Sequence, residues 1–452
     1  MWALDTIARA VNGTVLRAEA REFSAVSTDS RTIGAGELFI PLKGPNFDGH
    51  SFMGQAYVRS KGGALCDAAR REIFDAAPGT IVLVEDTNQA LLDLARFKRE
   101  HTGGTFVAIT GSNGKTTTKE LLVHLVGDLF RLAFNQKNYN NQVGVAKTLL
   151  AIEGEPEFGI IEMGTNHQGE IEVLARMAQP DMSLITNVNP SHLEGLSDLE
   201  GVRREKLSLF ENTRPGGTVF VNDDDPSLSS YNKKGDCRRI TFSLDHPADC
   251  TLEIAADRGI DGFDINLTFP GAQSAAHTRL IGRHNLYNVL AASSLAFFMG
   301  VPVSDLAERI ASFEPYHGRF NPMITGKGYV LVDDAYNANP ASMQWAVRTL
   351  ADLPCKGKRV AILGGMRELG EEGERYHREL GRALRESDLS LILLFGEPTR
   401  VTFDEIGNGR ARFFEDKSTL IGFAASVLNP EDIVLVKGSR AFGMDEIVEA
   451  LI

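Results

Sequence analysis

No stretch of this 452-residue chain approaches the ~20 consecutive apolar residues of a membrane span. There is no low-complexity tract and no repeat of 20–50 residues, so neither a disordered array nor a solenoid fits. Basic charge is in deficit: 47 Lys and Arg stand against 60 Asp and Glu, a net charge of −13. That balance argues against nucleic acid as the main partner. Cysteine is scarce. Cys66, Cys237, Cys250 and Cys355 show no C-x-x-C spacing, and read as free thiols in a reducing cytoplasm rather than a metal or disulfide framework. The opening "MWALDTIARAVNG" has no basic segment before an apolar one, so a secretory signal is not expected. Its Trp2, Leu4, Ile7, Ala8 and Val11 instead fall at helical spacing and predict an amphipathic helix.

What is present is the composition of a soluble globular protein, 43% hydrophobic and 24% charged, at a length that suggests about three domains. Short helix and strand patterns alternate up to the strand "TIVLVED", and a first boundary falls near Asp86. From Phe106, the short apolar runs "FGIIEMG", "MSLITNV" and "GTVFVND" alternate with helical patterns, as in a buried parallel sheet. Residues 238–280 alternate polar and apolar in "GFDINLTF", which predicts an antiparallel patch before the helix "HNLYNVLAASSLAFF". "FEPYHGRFNP" (313–322), punctuated by Pro315, Gly318 and Pro322, reads as a linker. Beyond it "YVLVDDAY", "RVAILGG", "LSLILLFG" and "DIVLVKGS" alternate with helices, a second doubly wound unit. The expected fold is α/β with three domains: 1–86, then 87–314 with a central P-loop ATPase-like parallel sheet, then 315–452 with a Rossmann-like one.

"FVAITGSNGKTTTKE" (106–120) is an apolar strand, a glycine loop and a helix. Gly111 and Gly114 permit a tight turn and a close approach to a ligand. The first N–H groups of the helix lack internal partners and, with the helix dipole, form an anion site. Lys115 adds a full charge toward phosphates, and Thr116 offers a hydroxyl to Mg²⁺. The loop is the short form G-x-x-G-K-T, since Ile109 occupies the place of the usual first glycine. A kinase, a GTPase switch and an ATP-driven ligase all fit it, as does a glycine turn with a chance Lys-Thr.

In open α/β sheets ligands bind beyond the carboxyl ends of strands. Glu162 closes one such strand; it could hold Mg²⁺ or be a solvated carboxylate. His192, in "NPSHLEG", is a loop histidine that fits polar surface as well as function. Lys206, in "RREKLSLF", reads as one more charge on a helix face. His284 and Asn285 look like a helix start, with Asn285 a capping candidate. Arg319, in the linker, is either a surface charge or a group that reaches a phosphate.

Taken together, "TGSNGKTTTKE", "NYNNQVGVA", "IEMG", "SHLEG", "EK" (205–206), "GRHNLYN", "HGRF", "DDAYNANP" and "KGSR" resemble the Mur ligases, in family order over nearly the whole chain. "STDSR" (27–31) and "GELFIPLKGPNFDGHSF" (36–52) look like the nucleotide-sugar domain of the members that add D-alanyl-D-alanine to UDP-N-acetylmuramoyl-tripeptide. The D-N-P-R motif of the sister ligase for a diamino acid is missing. The resemblance implies that ATP is bound by Gly111, Ser112, Asn113, Gly114, Lys115, Thr116 and Thr117. Asn285 falls at the adenine side, Arg319 at the γ-phosphate and Asp334 at the ribose. It implies Mg²⁺, two ions, served by Thr116, Glu162, His192 and a carbamylated Lys206. Lys115, Lys206, His192 and Arg319 are the implied catalytic set. Substrate contacts are implied for Ser27, Asp29, Ser30, Arg31, Lys43, Asp48, His50, Asn138 and Asn141. Others are implied for Tyr336, Asn337, Asn339, Lys437 and Ser439. A cytoplasmic monomer is expected, with no nucleic-acid partner and no membrane span. The third peptide residue is lysine or diaminopimelate. One position departs from the pattern: Gly365, in "GGMRELG", stands where this family commonly has aspartate.

The implied reaction activates a carboxylate as an acyl phosphate, which the amine of the dipeptide then attacks. Another ligase of the superfamily (folylpolyglutamate- or cyanophycin-type), a P-loop kinase and a nonenzymatic nucleotide-dependent scaffold are the other readings.

Overall fold

The computed structural model describes residues 1–70, 78–232, 235–407 and 409–452. The chain groups into two compact units that are not contiguous in sequence. One comprises 1–107, 131–163 and 172–180; the other comprises 108–130, 164–171 and 181–452.

In the first unit, a five-stranded sheet has the order 14–17, 80–84, 63–67, 38–39, 26–27. The strand at 14–17 pairs antiparallel and the rest pair parallel. Its face is covered by Ile33, Phe39, Met53, Ala56, Ala64, Cys66 and Ile81. The helix Thr87–Glu100 starts where Asp86 accepts a hydrogen bond from Gln89 N at 2.9 Å, an N-cap that satisfies one of the orphan donors of the first turn. The parallel pair Leu132–Phe134 and Phe158–Glu162 belongs here too, with helix Gln142–Leu150 between them. The amphipathic opening is a helix only over Leu4–Ala10. Trp2 and Ala3 pair instead with Glu22 and Phe23 as a two-residue strand, so the helix begins later than its apolar spacing predicts.

The strand Thr105–Thr110 runs from the first unit into the second. In the second unit it is followed in the sheet by 182–185, 218–222, 238–243, 250–257, 263–269 and 272–278. Pairing from 182–185 to 250–257 is parallel and the last three strands are antiparallel to one another, so the patch expected over 238–280 is antiparallel only from 250 onward, and 238–243 pairs parallel on both sides. A second sheet has the order 321–324, 330–334, 433–437, 359–364, 391–395, 411–414. It is parallel except at the edge strand Asn321–Ile324. The expected linker therefore ends early. Asn321 and Pro322 already pair with Asp333 and Val332, and proline is tolerated because the strand is an edge. Tyr329, Leu331, Val360, Ile362, Leu393, Val434, Val436 and Met444 form the core of this sheet. Among the described residues no helix is long and apolar enough to cross a membrane.

Candidate active site

The glycine loop is built by its neighbours. Gly111 has φ +145° and Gly114 φ +80°, the region that favours glycine. A Cβ on Gly111 would collide with Thr186 Oγ1, and one on Gly114 with Asn288 Oδ1. Ser112 N donates to Asn187 O at 2.9 Å, and Asn113 N to Asn187 Oδ1 at 3.0 Å. Thr186 Oγ1 and Asn187 Nδ2 both donate to Asn113 O, at 2.6 and 3.0 Å. Ser112 Oγ donates to Asn189 O at 2.7 Å. "TNVN" after the strand Met182–Ile185 is thus the scaffold of the loop, a role that no local pattern announces. Gly114 caps the helix Lys115–Val126, and Lys115 Nζ turns back to donate to Gly111 O at 2.6 Å and Ser112 O at 3.2 Å.

Arg319 reaches this loop: Nη2 donates to Thr116 Oγ1 at 3.2 Å, and the guanidinium lies 3.9 Å over the Tyr336 ring. Asp333, one of the residues that the sequence puts at the carboxyl end of a strand, fixes the segment. Its carboxylate accepts from Gly318 N at 2.7 Å and from Ala335 N at 3.1 Å. Asp334 and Lys437 are register partners on adjacent strands, and Lys437 Nζ donates to Asp334 Oδ2 at 2.6 Å and to Asn337 O at 2.9 Å. Burial raises the Asp334 carboxyl, and the Lys437 ammonium opposes that. Ser439 Oγ donates to Ala338 O at 3.1 Å.

Asn339 caps helix Pro340–Asp352: Oδ1 accepts from Ser342 N at 2.9 Å in a capping box. Its Nδ2 donates to Asn113 Oδ1 at 2.8 Å. Both ends of the amide are thus engaged within the protein. Asn285 is not the cap of its helix. Gly282 is, and Asn285 sits buried in the first turn. It donates to Ile281 O and accepts from Asn288 Nδ2, both at 2.9 Å. His284 stacks 6.0 Å from Trp345 and meets Phe320 edge-on at 5.1 Å; burial pushes its imidazole down to about 3, so it is neutral.

Lys206 overturns its reading as a surface charge. It is fully buried on helix Leu199–Glu211, and its Nζ has no hydrogen-bond partner among the described residues. Burial, and then the Lys115 charge, push its ammonium well below the ordinary lysine value, with Glu205 and Glu170 opposing. Glu205 is itself buried, accepting from Thr165 Oγ1 at 3.0 Å, Gly169 N at 2.6 Å and Ile171 N at 2.7 Å. His192 lies in the left-handed region, with Nδ1 2.7 Å from Glu368 Oε2. That contact holds the Glu368 carboxyl below its usual range.

Residues 109–296 match the Mur ligase middle domain, 318–440 the Mur ligase glutamate ligase domain and 22–99 the Mur ligase family catalytic domain. The UDP-N-acetylmuramoyl-tripeptide–D-alanyl-D-alanine ligase of Bacillus subtilis is 30% identical over 99% of this chain and 98% of its own. The Escherichia coli ligase of the same name is 33% identical over 94% and 93%. The chain belongs to the Mur ligase family. Its α/β architecture is the three-domain Mur ligase fold. The MurF structure from Acinetobacter baumannii superposes with a TM-score of 0.89 at 27% identity, covering 99% of this chain and 98% of that one. The MurF ligase of Thermotoga maritima, solved in complex with ADP, gives 0.83 at 27% identity over 94% and 96%.

The departure of this Mur ligase at Gly365 has a packing reason. A Cβ there would come within 2.7 Å of the Phe442 ring and 3.1 Å of Pro398. Phe442 fills the space, edge-on to Phe395 and 5.2 Å beneath the Arg367 guanidinium.

The first unit holds the other candidates. Glu162 is buried, and its Oε1 accepts from Asn140 Nδ2 at 2.8 Å. Asn141 caps helix Gln142–Leu150 through Gly144 N, while Asn138 is exposed. Arg31 grips Asp29 with Nε at 2.9 Å and Nη2 at 2.7 Å, which pushes the carboxyl down; Ser27 Oγ donates to Asp29 O at 3.4 Å. Ser30 Oγ donates to Gln55 Oε1 at 3.2 Å. His50 is buried between Asp48, 2.7 Å from Nδ1, and Asp67 N, which donates to Nε2 at 3.1 Å; the imidazole is thereby the Nδ1–H tautomer. Asp67 in turn pairs with Lys43.

Proposed function

We propose that this Mur ligase joins D-alanyl-D-alanine to UDP-N-acetylmuramoyl-tripeptide at the expense of ATP, giving the pentapeptide precursor of peptidoglycan through an acyl phosphate. Near-full-length similarity to ligases of that name supports the reading. The observation that carries it is the hydrogen bond from Arg319 to Thr116, which brings a cation of the third segment onto the hydroxyl at the start of the phosphate-loop helix. The proposed domains are 1–86 for the UDP-sugar, 87–314 for ATP and 315–452 for the dipeptide.

A carboxylate is a poor electrophile with no good leaving group. Attack of its oxygen on the γ-phosphorus gives an acyl phosphate and ADP. The dipeptide amine then adds to the acyl carbon, and phosphate departs with the oxygen that made the attack. Anions meet at each stage, so cations matter most. Lys115 lies against the loop carbonyls and is placed to face the phosphates once a nucleotide draws it forward. Arg319, held flat by Tyr336, supplies a second charge beside Thr116. Asp334, Asn337, Lys437 and Ser439 form the polar end of the second sheet, the side on which open sheets present ligands. Asn285 and the neutral His284 line the proposed base side.

Mg²⁺, when bound, neutralises phosphate charge during transfer. It is a hard cation that prefers oxygen. In the second unit the Thr116 hydroxyl and a carbamate on Lys206 are such donors, with the His192 imidazole a further proposed ligand; in the first unit the Glu162 carboxylate is such a donor. An ammonium at Lys206 fits poorly, because a charge buried without a partner is costly. As the neutral amine it can add to CO₂, releasing a proton and leaving an anionic carbamate. A cytoplasmic monomer completes the proposal.

The test is product formation. ATP, UDP-N-acetylmuramoyl-tripeptide and D-alanyl-D-alanine are incubated with the protein, with D-glutamate, L-alanine and diaminopimelate in competition, and the mixture is read by mass spectrometry. Dipeptide addition with one ADP per amide is expected. Comparable incorporation of a single amino acid contradicts the substrate assignment, and ATP turnover without an amide contradicts the ligase reading.

A further inference from the structure

The segment "GGMRELG" has no part in the chemistry above, yet its glutamate lies against a proposed metal-centre residue. We infer that Glu368 is a positioning residue, whose carboxylate sets the tautomer and orientation of His192. The inference rests on the reading of His192 as a group that serves the cation.

The two side chains meet at 2.7 Å, Glu368 Oε2 to His192 Nδ1. The backbones meet as well, with Glu194 N donating to Glu368 O at 3.2 Å. His192 has φ +52° and Glu368 φ +62°, where a non-glycine residue costs about 1–2 kcal/mol. Such strain persists only when the surroundings over-determine the conformation, and it clusters at functional sites. The Glu368 loop is pinned just before the glutamate: Met366 N donates to His377 Nε2 at 3.1 Å, and Arg367 N to Ser439 Oγ at 3.0 Å. Met366 and Leu369 are buried on either side, whereas the Glu368 side chain is 53% exposed. The fold thus anchors the loop through its neighbours and leaves the carboxylate free of any packing duty.

A carboxylate accepts a proton and donates none. Its oxygen lies 2.7 Å from Nδ1 without the alignment of a formed hydrogen bond, and an anion so close repels a lone pair on Nδ1, which favours the Nδ1–H tautomer and leaves the lone pair of Nε2 as the open position. Metal-serving histidines use that arrangement, and loss of the outer partner typically weakens metal binding about 10–100-fold. Ser439 and Lys437 lie at the end of one strand, so the Arg367–Ser439 bond also ties His192 to the proposed dipeptide side.

The test uses the full chain with a nonhydrolysable ATP analogue and Mn²⁺ as the spectroscopic probe. Long-range proton–nitrogen spectra report the tautomer of each imidazole, and His192→Ala identifies the His192 signal among the ten histidines. The inference expects His192 as the Nδ1–H form and a shift toward the Nε2–H form in Glu368→Ala. By electron paramagnetic resonance, Glu368→Ala should weaken Mn²⁺ about 10–100-fold. Glu368→Gln, whose amide oxygen still accepts, should fall between. His192→Ala should weaken Mn²⁺ as much, with the double variant no worse than either single one. If His192→Ala weakens Mn²⁺ while Glu368→Ala changes neither tautomer nor affinity, the inference fails and the reading of His192 stands. If His192→Ala leaves Mn²⁺ binding intact, the reading of His192 fails and takes the inference with it.

Discussion

Thr116 Oγ1 accepts a hydrogen bond from Arg319 Nη2 at 3.2 Å, although 203 residues separate them in sequence. The arginine is held in place by the Tyr336 ring and by the Asp333–Gly318 bond. Arg319→Ala should therefore lower kcat about 10²–10³-fold, the usual cost of one transition-state donor. Its melting temperature should stay near that of the parent chain. Steady-state kinetics beside a thermal melt checks this, and near-normal turnover in a folded variant contradicts it.

Lys206→Ala should lose most activity and regain part of it in acetate or formate, since a small carboxylate can occupy the place of the carbamate. The buried Nζ, which has no hydrogen-bond partner among the described residues, is the motive. Carbon-13 spectra of the parent chain in labelled bicarbonate should show a carbamate resonance that the variant lacks. No resonance and no rescue would contradict carbamylation.

His284 makes acid stability measurable. Its folded pKa is about 3, below the ordinary 6.5. Between those values the unfolded chain binds the extra proton, so this residue makes stability fall as pH drops from 6.5 toward 3. His284→Phe keeps a ring against Trp345 and does not titrate. Denaturant midpoints at several pH values should fall less steeply for the variant across that window; equal slopes would contradict the assignment.

Much of the fold was legible. Buried parallel strands are short apolar runs, and the glycine loop sits between strand and helix as its spacing requires. The burial of Lys206 was not legible, because one lysine on an amphipathic helix reads as solvated whichever way the helix is turned. Nor were Thr186 and Asn187, which shape the loop by contacts across 73 and 74 residues, or Asn288, which accepts from Thr118 Oγ1 in the following helix across 170; such contacts leave no local pattern. The Asn339 cap had a local signal in "NPAS", an N-cap residue, a proline and a serine at the third helical position. The Gly282 cap was obscured by the more familiar capping asparagine three residues on.

Gly365→Asp should restore the common family residue and still destabilise this chain by about 1–3 kcal/mol, through overpacking against Phe442. Adding Phe442→Ala should remove most of that penalty. Urea midpoints of the two single variants and the double one decide it; additive losses would show that the two positions do not compete for space.

The central claim, that a carboxylate is activated by phosphoryl transfer before the amine attacks, is tested most directly by oxygen tracing. The tripeptide carboxylate of the UDP-linked substrate is labelled with ¹⁸O, and the inorganic phosphate released in the presence of D-alanyl-D-alanine is analysed by mass spectrometry. The account predicts one ¹⁸O in each phosphate and one retained in each new amide. Phosphate released at the same rate without label would contradict it.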